Sequence, residues 1–540
     1  MILLVLCGGA RFYSDIPYMD MWDGTIDFFM RARSGRWYPW WEQHNEHRIL
    51  LSRLLFWVDL QWLGGRSVFL VFMNYFFAFS IPAVFWGILK ERKQEAKLPI
   101  DDSTTILGLL LTSWLLLWCQ KENLVWAFQS QFFLSQLLPL AALWSAHKAF
   151  TRANSTFYFV FACLLGVAST WTMANGISVL PLIAVYSVFQ GQPVRRTATL
   201  VLFSALSLGT YFYDYHSPST HGLLSKTLLH EPLLSLNYTF TYLGSPFNYL
   251  LGKGPLGRWA AFAGGLSLVV LTVKSFLSLI HRKTRPSDSM LLFYLVYIIG
   301  TALGTAGGRL IFGVEQAISE RYTTPALMAW VTLVILFEES FKNLFEHKNK
   351  KLSRSLIGLL MLLMLIKQLG VFSKTNSELN RRKLAALALE LQINDQEIIK
   401  TIYPNASRAI RIAKLASDQK ISIFGYFPFK GLRDSLGKVS SLPVSSHNCQ
   451  IEAISSRSIA DDKLFNRIEG NMDRNSSKAI SPLLYLLDEN HHIVGFAMAD
   501  ISTGKFNGYF RSSALDRGLG LIVKDEHNTC LSSVQVKYST

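Results

Sequence analysis

The side chains best suited to chemistry lie in one polar stretch near the start of the chain. Asp20 and Asp23 stand three positions apart among Tyr, Met and Trp, and Glu46 follows in the run His-Asn-Glu-His-Arg. A carboxylate that aromatic neighbours partly shield from water becomes a better base and can take a proton from a hydroxyl group. These three acids are therefore predicted to be catalytic. The alternative is an interfacial loop whose aromatic residues are anchors and whose acids are helix caps.

Three neighbours of Glu46, namely His44, His47 and Arg48, are predicted to bind substrate. Two histidines three positions apart can hold a metal ion, but this spacing is common by chance, so no metal site is predicted. A divalent cation stays open as a cofactor. The five cysteines have no metal-binding spacing, and whether Cys449 pairs with Cys530 stays open.

A second polar stretch, from Gly307 to Pro325, contains Arg309, Arg321 and Tyr322. The planar guanidinium fork of arginine matches the oxygens of a phosphate group. An arginine at the lipid boundary can also simply reach to headgroups. We predict that all three residues bind substrate, together with Glu122 and Asn123 at the entry of an apolar segment.

The composition requires a membrane protein around these residues. Half of the 540 residues are hydrophobic and only 17% are charged, below the roughly 25% of soluble domains. The net charge of +16 does not indicate nucleic-acid binding, because the basic residues lie largely in short loops between apolar runs. No nucleotide-binding phosphate loop is present, which argues against an ATP-driven pump.

The fold is predicted to be mainly α, a polytopic transmembrane bundle of about eleven helices of roughly 20 apolar residues each. Met1–Ala10 is interpreted as the end of the first helix. Ile49–Leu63 is interpreted as an interfacial helix, the alternative being a true span. The other spans are predicted at residues 66–89, 104–119, 129–148, 156–173, 177–190, 198–213, 258–280, 289–306, 323–340 and 355–372.

The loops predict the orientation, because short loops rich in Lys and Arg stay in the cytoplasm. Five basic sets fall on one side of the predicted spans, and this side is taken as cytoplasmic. The opposite, extracytoplasmic side then holds residues 11–65, 120–128, 174–176, 214–257, 307–322 and 373–540. The five basic sets are Lys90, Arg92, Lys93 and Lys97; Lys148 and Arg152; Arg195 and Arg196; Arg282, Lys283 and Arg285; and Lys342, Lys348, Lys350, Lys351 and Arg354.

The chain is predicted to have three parts. Residues 1–372 form the transmembrane catalytic domain, with residues 11–65 as its first outside loop. Residues 373–420 have a helical pattern and form a connector. Residues 421–540 form a small extracytoplasmic β-rich domain, because short β-like runs such as Ile421–Phe424, Leu483–Leu487 and His492–Met498 alternate with turn residues.

Short motifs along nearly the whole chain resemble those of one enzyme family. They are Pro17 to Gly24, His44 to Ile49, Glu122 to Gln129, Gly308-Arg309 with Ser319 to Pro325, and Leu487 to Ala497. An acidic first loop, a late Arg-Tyr before a helix and a soluble tail complete the pattern. In these features the chain resembles a bacterial group within the type C superfamily of polytopic glycosyltransferases, which use polyprenyl-phosphate sugars.

The resemblance implies an inverting transfer of a hexosyl or pentosyl group onto a cell-surface glycan or lipid, at the outer face of the bacterial cytoplasmic (inner) membrane. A carboxylate of the first loop, with Asp20 preferred over Asp23, deprotonates the acceptor. Cationic side chains hold the departing lipid phosphate. The implied partners are the lipid-linked donor, the acceptor and membrane lipids, without nucleic acid.

Two other classes of protein stay open. One is a polytopic transporter of lipids or polysaccharides, although charged residues are expected inside the spans of a transporter and are nearly absent here. The other is a non-catalytic envelope assembly protein that uses the β-rich domain as a binding module. The sugar, the acceptor and the oligomeric state are left open by the sequence.

Overall fold

The chain folds into two compact units in a computed structural model. The helical unit contains Met1–Tyr13, Trp40–Leu55 and Leu70–Ser373, and the sheet unit contains Ser14–Pro39, Phe56–Phe69 and Lys374–Thr540. The predicted first outside loop is therefore divided between the two units. The structure describes residues 1–152, 155–217, 222, 224–281, 285–339, 350–373, 376–440, 451–472, 482–500, 502–514, 521–525, 531–534 and 537–538.

The helical unit consists of helices joined by short turns. The helices Tyr38–Trp41, Leu50–Trp62 and Val68–Glu95 contribute residues to both units. The remaining helices are Ile2–Phe12, Asp102–Leu115, Lys121–Val125, Ser130–Thr151, Thr156–Thr170, Val179–Phe189, Val194–Phe212, Leu224–His230, Pro232–Leu243, Ser245–Leu251, Pro255–His281, Pro286–Arg309, Thr323–Leu336 and Lys350–Gln368.

Five helical runs within the described residues are long and apolar enough to cross a membrane. Five predicted spans, at 66–89, 104–119, 258–280, 289–306 and 355–372, fall on these runs and are confirmed as membrane-length apolar helices. The other predicted spans fall on shorter or less apolar helices, so the count of eleven stays a prediction. The five runs are Val68–Glu95, Asp102–Val125, Pro255–Leu279, Pro286–Phe312 and Ser355–Glu390.

The predicted interfacial segment at 49–63 is a helix, Leu50–Trp62. It has 13 residues, fewer than the roughly 20 that cross a bilayer. Its length fits the predicted interfacial helix better than the alternative of a true span.

Some basic residues of the predicted cytoplasmic loops are buried in ion pairs. Arg92 Nη1 lies 2.5 Å from Asp288 Oδ1, and Lys93 pairs with Glu338. These pairs tie the end of Val68–Glu95 to other helices of the unit, because a buried charge needs a partner. Arg282, Lys283, Lys342 and Lys348 lie outside the described residues.

The predicted helical connector, 373–420, contains the helices Asn376–Glu390, Gln396–Ile399 and Ala406–Asp418 of the sheet unit. Side chains cap two of them in the expected way, since Asp395 accepts a hydrogen bond from Ile398 N and Asn405 from Arg408 N. The short helix Leu432–Ser435 follows, and Phe28–Arg33 joins this unit from the first loop.

The predicted β-rich region contains one sheet of eight strands. Their order is β7-β6-β3-β4-β5-β2-β1-β8, and neighbours are antiparallel except β1 and β8. The predicted runs at 483–487 and 492–498 are confirmed as β3 and β4. The strands are β1 Ile451–Ile459, β2 Asp462–Met472, β3 Leu483–Leu487, β4 Ile493–Ala499, β5 Lys505–Arg511, β6 Leu521–Asp525, β7 Leu531–Val534 and β8 Lys537–Tyr538.

The predicted β-like run Ile421–Phe424 is wrong. Residues Ser422–Gly425 form a 3₁₀ helix, and Ser422 has a φ of 55°, which an extended strand does not allow. All four residues of the run are buried, so the apolar run reflects complete burial and not the alternating burial of a strand. Cys449 and Cys530 lie outside the described residues, and their pairing stays open.

Candidate functional site

Asp23 lies in a distorted helical segment of the sheet unit. Trp22–Asp27 forms a π-helix that continues directly into the α-helix Phe28–Arg33. π-Helical turns are rare and occur frequently at functional sites. One carboxylate oxygen of Asp23 accepts a hydrogen bond from the Tyr403 hydroxyl, and the other lies 2.5 Å from Arg408 Nη2. The carboxylate is therefore held from two sides.

Asp20 is half-buried in the turn just before this π-helix, and its backbone carbonyl accepts a hydrogen bond from Gly24 N at 2.7 Å. The N-cap residue of the π-helix is Met21, one position later, and no side chain caps this helix, so the capping alternative is left to the Asp20→Asn test. Burial raises the pKa of Tyr403 above its ordinary range, and the carboxylates of Asp23 and Asp20 act in the same direction. Tyr403 therefore stays protonated at neutral pH and remains a donor to Asp23.

Glu46 is presented by a tight turn of the helical unit. His44 and His47 exchange two backbone hydrogen bonds, of 2.8 and 2.9 Å, across this turn. Asn45 takes a φ of 50°, a left-handed conformation that asparagine tolerates better than most residues. The ring centroid of His44 lies 5.1 Å from that of Phe128. The turn thus fixes the position of the Glu46 side chain.

One oxygen of Glu46 is shared by two partners. Arg309 Nη2 lies 2.7 Å from Glu46 Oε1, and His47 Nε2 lies 3.4 Å from the same oxygen. The other ring nitrogen, His47 Nδ1, accepts a hydrogen bond from Ala174 N at 3.1 Å. Glu46, His47 and Arg309 therefore form one cluster, in which Arg309 donates to Glu46 and His47 Nε2 faces the same oxygen.

Arg321 forms the second cationic position of the helical unit. Its Nη2 lies 3.0 Å from Glu122 Oε1, and about a third of its side chain is exposed. The amide of Asn123 donates to the Arg321 carbonyl at 3.0 Å and to Thr324 Oγ1 at 2.8 Å. Asn123 is fully buried, so its contacts indicate that it positions Arg321.

Tyr322 interacts electrostatically with both arginines, Arg309 and Arg321. Its ring stacks on Tyr242 at 5.2 Å between centroids, and the side chain is buried. Burial raises the pKa of Tyr322, whereas the charges of Arg309 and Arg321 lower it, and burial dominates. The hydroxyl therefore stays protonated at neutral pH, close to both guanidinium groups.

Arg48 has a different environment from the one predicted for a substrate-binding residue. It is almost completely buried, and its guanidinium donates to the carbonyls of Tyr211 at 2.7 Å, Trp41 at 2.6 Å and Tyr213. It also lies over the Trp41 ring, 5.4 Å from its centroid. These contacts indicate that Arg48 holds the backbone around the Glu46 turn.

A polar stripe on the helix Pro286–Arg309 was missed by the sequence analysis. Tyr297, Thr301, Thr305 and Arg309 recur every fourth residue, which places them on one helix face. The Asn175 amide donates to Tyr297 Oη at 2.8 Å and to Thr301 Oγ1 at 3.3 Å. The four-residue spacing of polar groups inside a predicted span is the signal that could have revealed this stripe.

The structure thus groups most of the predicted binding residues. In the helical unit, one group contains Glu46, His47 and Arg309, a second contains Glu122, Asn123 and Arg321, and Tyr322 interacts with both arginines. Asp20 and Asp23 belong to the sheet unit with Tyr403 and Arg408. Within the described ranges, no three side chains of His, Cys, Asp or Glu come together as metal ligands would.

Comparison with known proteins found no family model, curated protein or solved structure that matches this chain.

Proposed function

We propose that this chain is a membrane glycosyltransferase that moves a sugar from a polyprenyl-phosphate donor to a glycan or lipid acceptor outside the cytoplasm. The proposal depends mainly on one observation, the two partly exposed arginines, Arg309 and Arg321, whose charges both act on the buried Tyr322. Each guanidinium is held by a carboxylate, so both forks are oriented before substrate arrives. Membrane-length apolar helices and the sequence resemblance agree with this assignment.

The reaction follows from the chemistry of the groups. A first-loop carboxylate takes the proton of the acceptor hydroxyl, and the oxygen attacks the anomeric carbon from the face opposite the lipid phosphate. The bond between this carbon and the phosphate oxygen breaks, and the phosphate leaves with an added negative charge. Arg309 and Arg321 stabilise that charge, because charge-assisted hydrogen bonds to phosphate are among the strongest in proteins. Asp20 remains the preferred base, with Asp23 and Glu46 as alternatives.

Asp23 and Glu46 are each held by two partners. Asp23 is held by Tyr403 and Arg408, and Glu46 is held by Arg309 and His47. When the donor binds, its phosphate would attract Arg309 and weaken the pair between Arg309 and Glu46. Glu46 could then act as base, but only while the donor is bound. This dependence on donor distinguishes Glu46 from Asp20 in a kinetic experiment.

The polar stripe suggests how the sugar is held. Thr301 and Thr305 are half-buried on the helix that ends at Arg309, and each hydroxyl donates to a carbonyl of its own helix, which leaves acceptor capacity. Tyr297 is buried and already bonded to the Ser135 carbonyl and to the Asn175 amide. Neutral hydroxyl and amide groups complement the hydroxyls of a sugar. The stripe therefore fits a sugar whose phosphate lies at Arg309.

The deciding experiment measures lipid products. Membranes with the wild-type chain are compared with membranes that contain the double variant Arg309→Ala and Arg321→Ala at equal abundance. The proposal expects free polyprenyl phosphate and glycosylated acceptor to appear together, and only with the wild type. Movement of intact donor across the membrane without release of polyprenyl phosphate would instead identify a transporter.

A further inference from the structure

The sheet unit has a compact surface of exposed aromatic and basic side chains. It combines the loop after the helix Leu50–Trp62 with a turn of the C-terminal tail. We name it the aromatic patch and define it as Trp62, Leu63, Arg66, Tyr426, Phe427 and Lys430, all of which are exposed. Trp62 is 69% exposed and Phe427 is 48% exposed, values unusual for residues of this size and apolarity in a folded unit.

The two segments of the patch are held together by close contacts within the sheet unit. Ser422 Oγ donates a hydrogen bond to the Gly65 carbonyl at 2.8 Å. Gly64 has a φ of +82°, and any side chain there would collide with the Tyr426 hydroxyl, so the tail approaches the loop as closely as glycine allows. The Arg66 guanidinium lies over the Tyr426 ring, 5.7 Å from its centroid. The tail turn and the loop therefore share one surface.

The chain itself indicates what this surface meets. Val68 begins the helix Val68–Glu95, which contains an 18-residue window of mean hydropathy 2.0 and is long enough to cross a membrane. Val68, Phe72 and Phe76, spaced by four residues, are exposed on one face of this helix, as a lipid-facing stripe would be. Only five residues separate Trp62 from Val68, so these two residues are at most about 22 Å apart even in extended chain. The loop half of the patch must therefore lie near the membrane boundary.

We propose that the aromatic patch inserts into the headgroup region of the bilayer and anchors the tail turn at Tyr426 and Phe427 to the membrane. Trp and Tyr concentrate at membrane interfaces because their rings are apolar and their polar atoms stay hydrated. Arg66 and Lys430 fit the phosphates of the lipid headgroups at the same depth. The partner is thus a lipid surface, and the contact does not depend on the proposed transferase activity.

The test measures depth at single positions of the full-length chain. All five native cysteines are replaced by serine, and one cysteine is introduced as Phe427→Cys, Trp62→Cys or Leu464→Cys. Each is labelled with a polarity-sensitive fluorophore after reconstitution into phosphatidylcholine and phosphatidylglycerol vesicles. Leu464 is the matched control, because it is an apolar residue of the same unit, on β2, and is 74% exposed.

The two quenchers give opposite expectations. Lipids with a nitroxide headgroup should quench the labels at 427 and 62 at least threefold more than the label at 464, whereas aqueous iodide should quench the 464 label most. Quenching at 427 that equals that at 464, with either quencher, overturns the proposal. Lipid quenching at 62 alone also overturns it, because the tail turn would then lie in water.

Discussion

At the residue scale, the candidate bases Asp20 and Asp23 of the first loop both act on Tyr403. Asp23 is occupied by the Tyr403 hydroxyl and by Arg408, 2.5 Å away. Asp20 lies one turn earlier, close enough for its charge to act on Tyr403. The preference for Asp20 over Asp23 as the base comes from the sequence resemblance, and a substitution at Asp20 tests it.

Asp20→Asn separates the catalytic role from the capping role. Asparagine caps a helix nearly as well as aspartate, so a capping role predicts near-normal activity. An amide cannot take the proton, so we expect sugar transfer to fall by roughly a hundredfold or more. Transfer rates are compared at equal membrane abundance, with Asp27→Asn, a neighbouring acid paired to Arg31, as the control. Wild-type transfer by the Asp20 variant would move the base to Asp23 or Glu46.

Arg321→Lys tests the need for a planar fork. Lysine keeps the positive charge but cannot bind two phosphate oxygens in the same geometry. We expect a loss of about tenfold or more in transfer, on the scale of one charge-assisted hydrogen bond. The control is Arg258→Lys, because Arg258 is also paired with a glutamate but is half exposed. Full activity in both Arg309→Ala and Arg321→Ala would remove phosphate binding from these residues.

At the element scale, the helix Pro286–Arg309 is expected to set donor affinity through its polar stripe. Thr305→Val keeps the shape of the side chain and removes its hydroxyl. If this hydroxyl contacts the sugar, KM for donor should rise about fivefold to tenfold while kcat changes little. Thr332→Val is the matched control, since Thr332 makes the same hydrogen bond to its own helix, at 2.7 Å, in another helix. Equal kinetics in the two variants would mean that the stripe only packs helices.

The helix Leu50–Trp62 contains a carboxyl group whose burial makes stability depend on pH. Burial raises the pKa of Asp59 to about 6, although a hydrogen bond from Ser67 N opposes this. A raised pKa means that the protonated form favours the folded state, so this stabilisation is complete below about pH 4 and is lost as pH rises past about 6. The difference is on the order of 3 kcal/mol.

Asp59→Asn removes this titration. The thermal midpoint of the detergent-solubilised wild type should fall between about pH 4.5 and pH 7.5 by more than that of the variant. Asp102→Asn, at an exposed aspartate, should retain the fall of the wild type. An unchanged pH dependence in the Asp59 variant would show that other groups cause it.

Elements were predicted better than contacts, for a physical reason. Hydropathy depends on local composition, so the apolar runs at 66–89 and 289–306 could be predicted from the sequence. The pairing of Arg309 with Glu46 joins residues far apart in the chain, and no local pattern contains it. Arg48 was likewise predicted from the sequence to bind substrate, whereas its guanidinium donates to backbone carbonyls such as that of Tyr211. The strand-like run predicted at Ile421–Phe424 was wrong because a short buried apolar run does not distinguish a strand from a 3₁₀ helix.

At the scale of the whole molecule, the orientation in the membrane is still a prediction. Arg92 and Lys93 are buried with Asp288 and Glu338 as partners, yet acidic partners contribute little to the positive-inside rule, so the argument from the basic loops is unaffected. A reporter that is active only outside the cytoplasm, fused after Thr540, should be active. A reporter that needs the cytoplasm should be silent at the same point. The reverse pattern would invert the proposed topology.

The sheet unit is built from segments that are far apart in the chain, and this has a consequence for its synthesis. Residues 14–39 and 56–69 are synthesised early, but the tail on which they pack, from Lys374 onward, is made about 300 residues later. At about 5–20 residues per second the delay is on the order of 15–60 s. During this time the early segments lie beside the membrane without the tail on which they pack, so the sheet unit cannot complete its folding. Premature termination before the tail would therefore leave Asp20 and Asp23 on an unfolded segment, and quality control should recognise such chains by their N-terminal part.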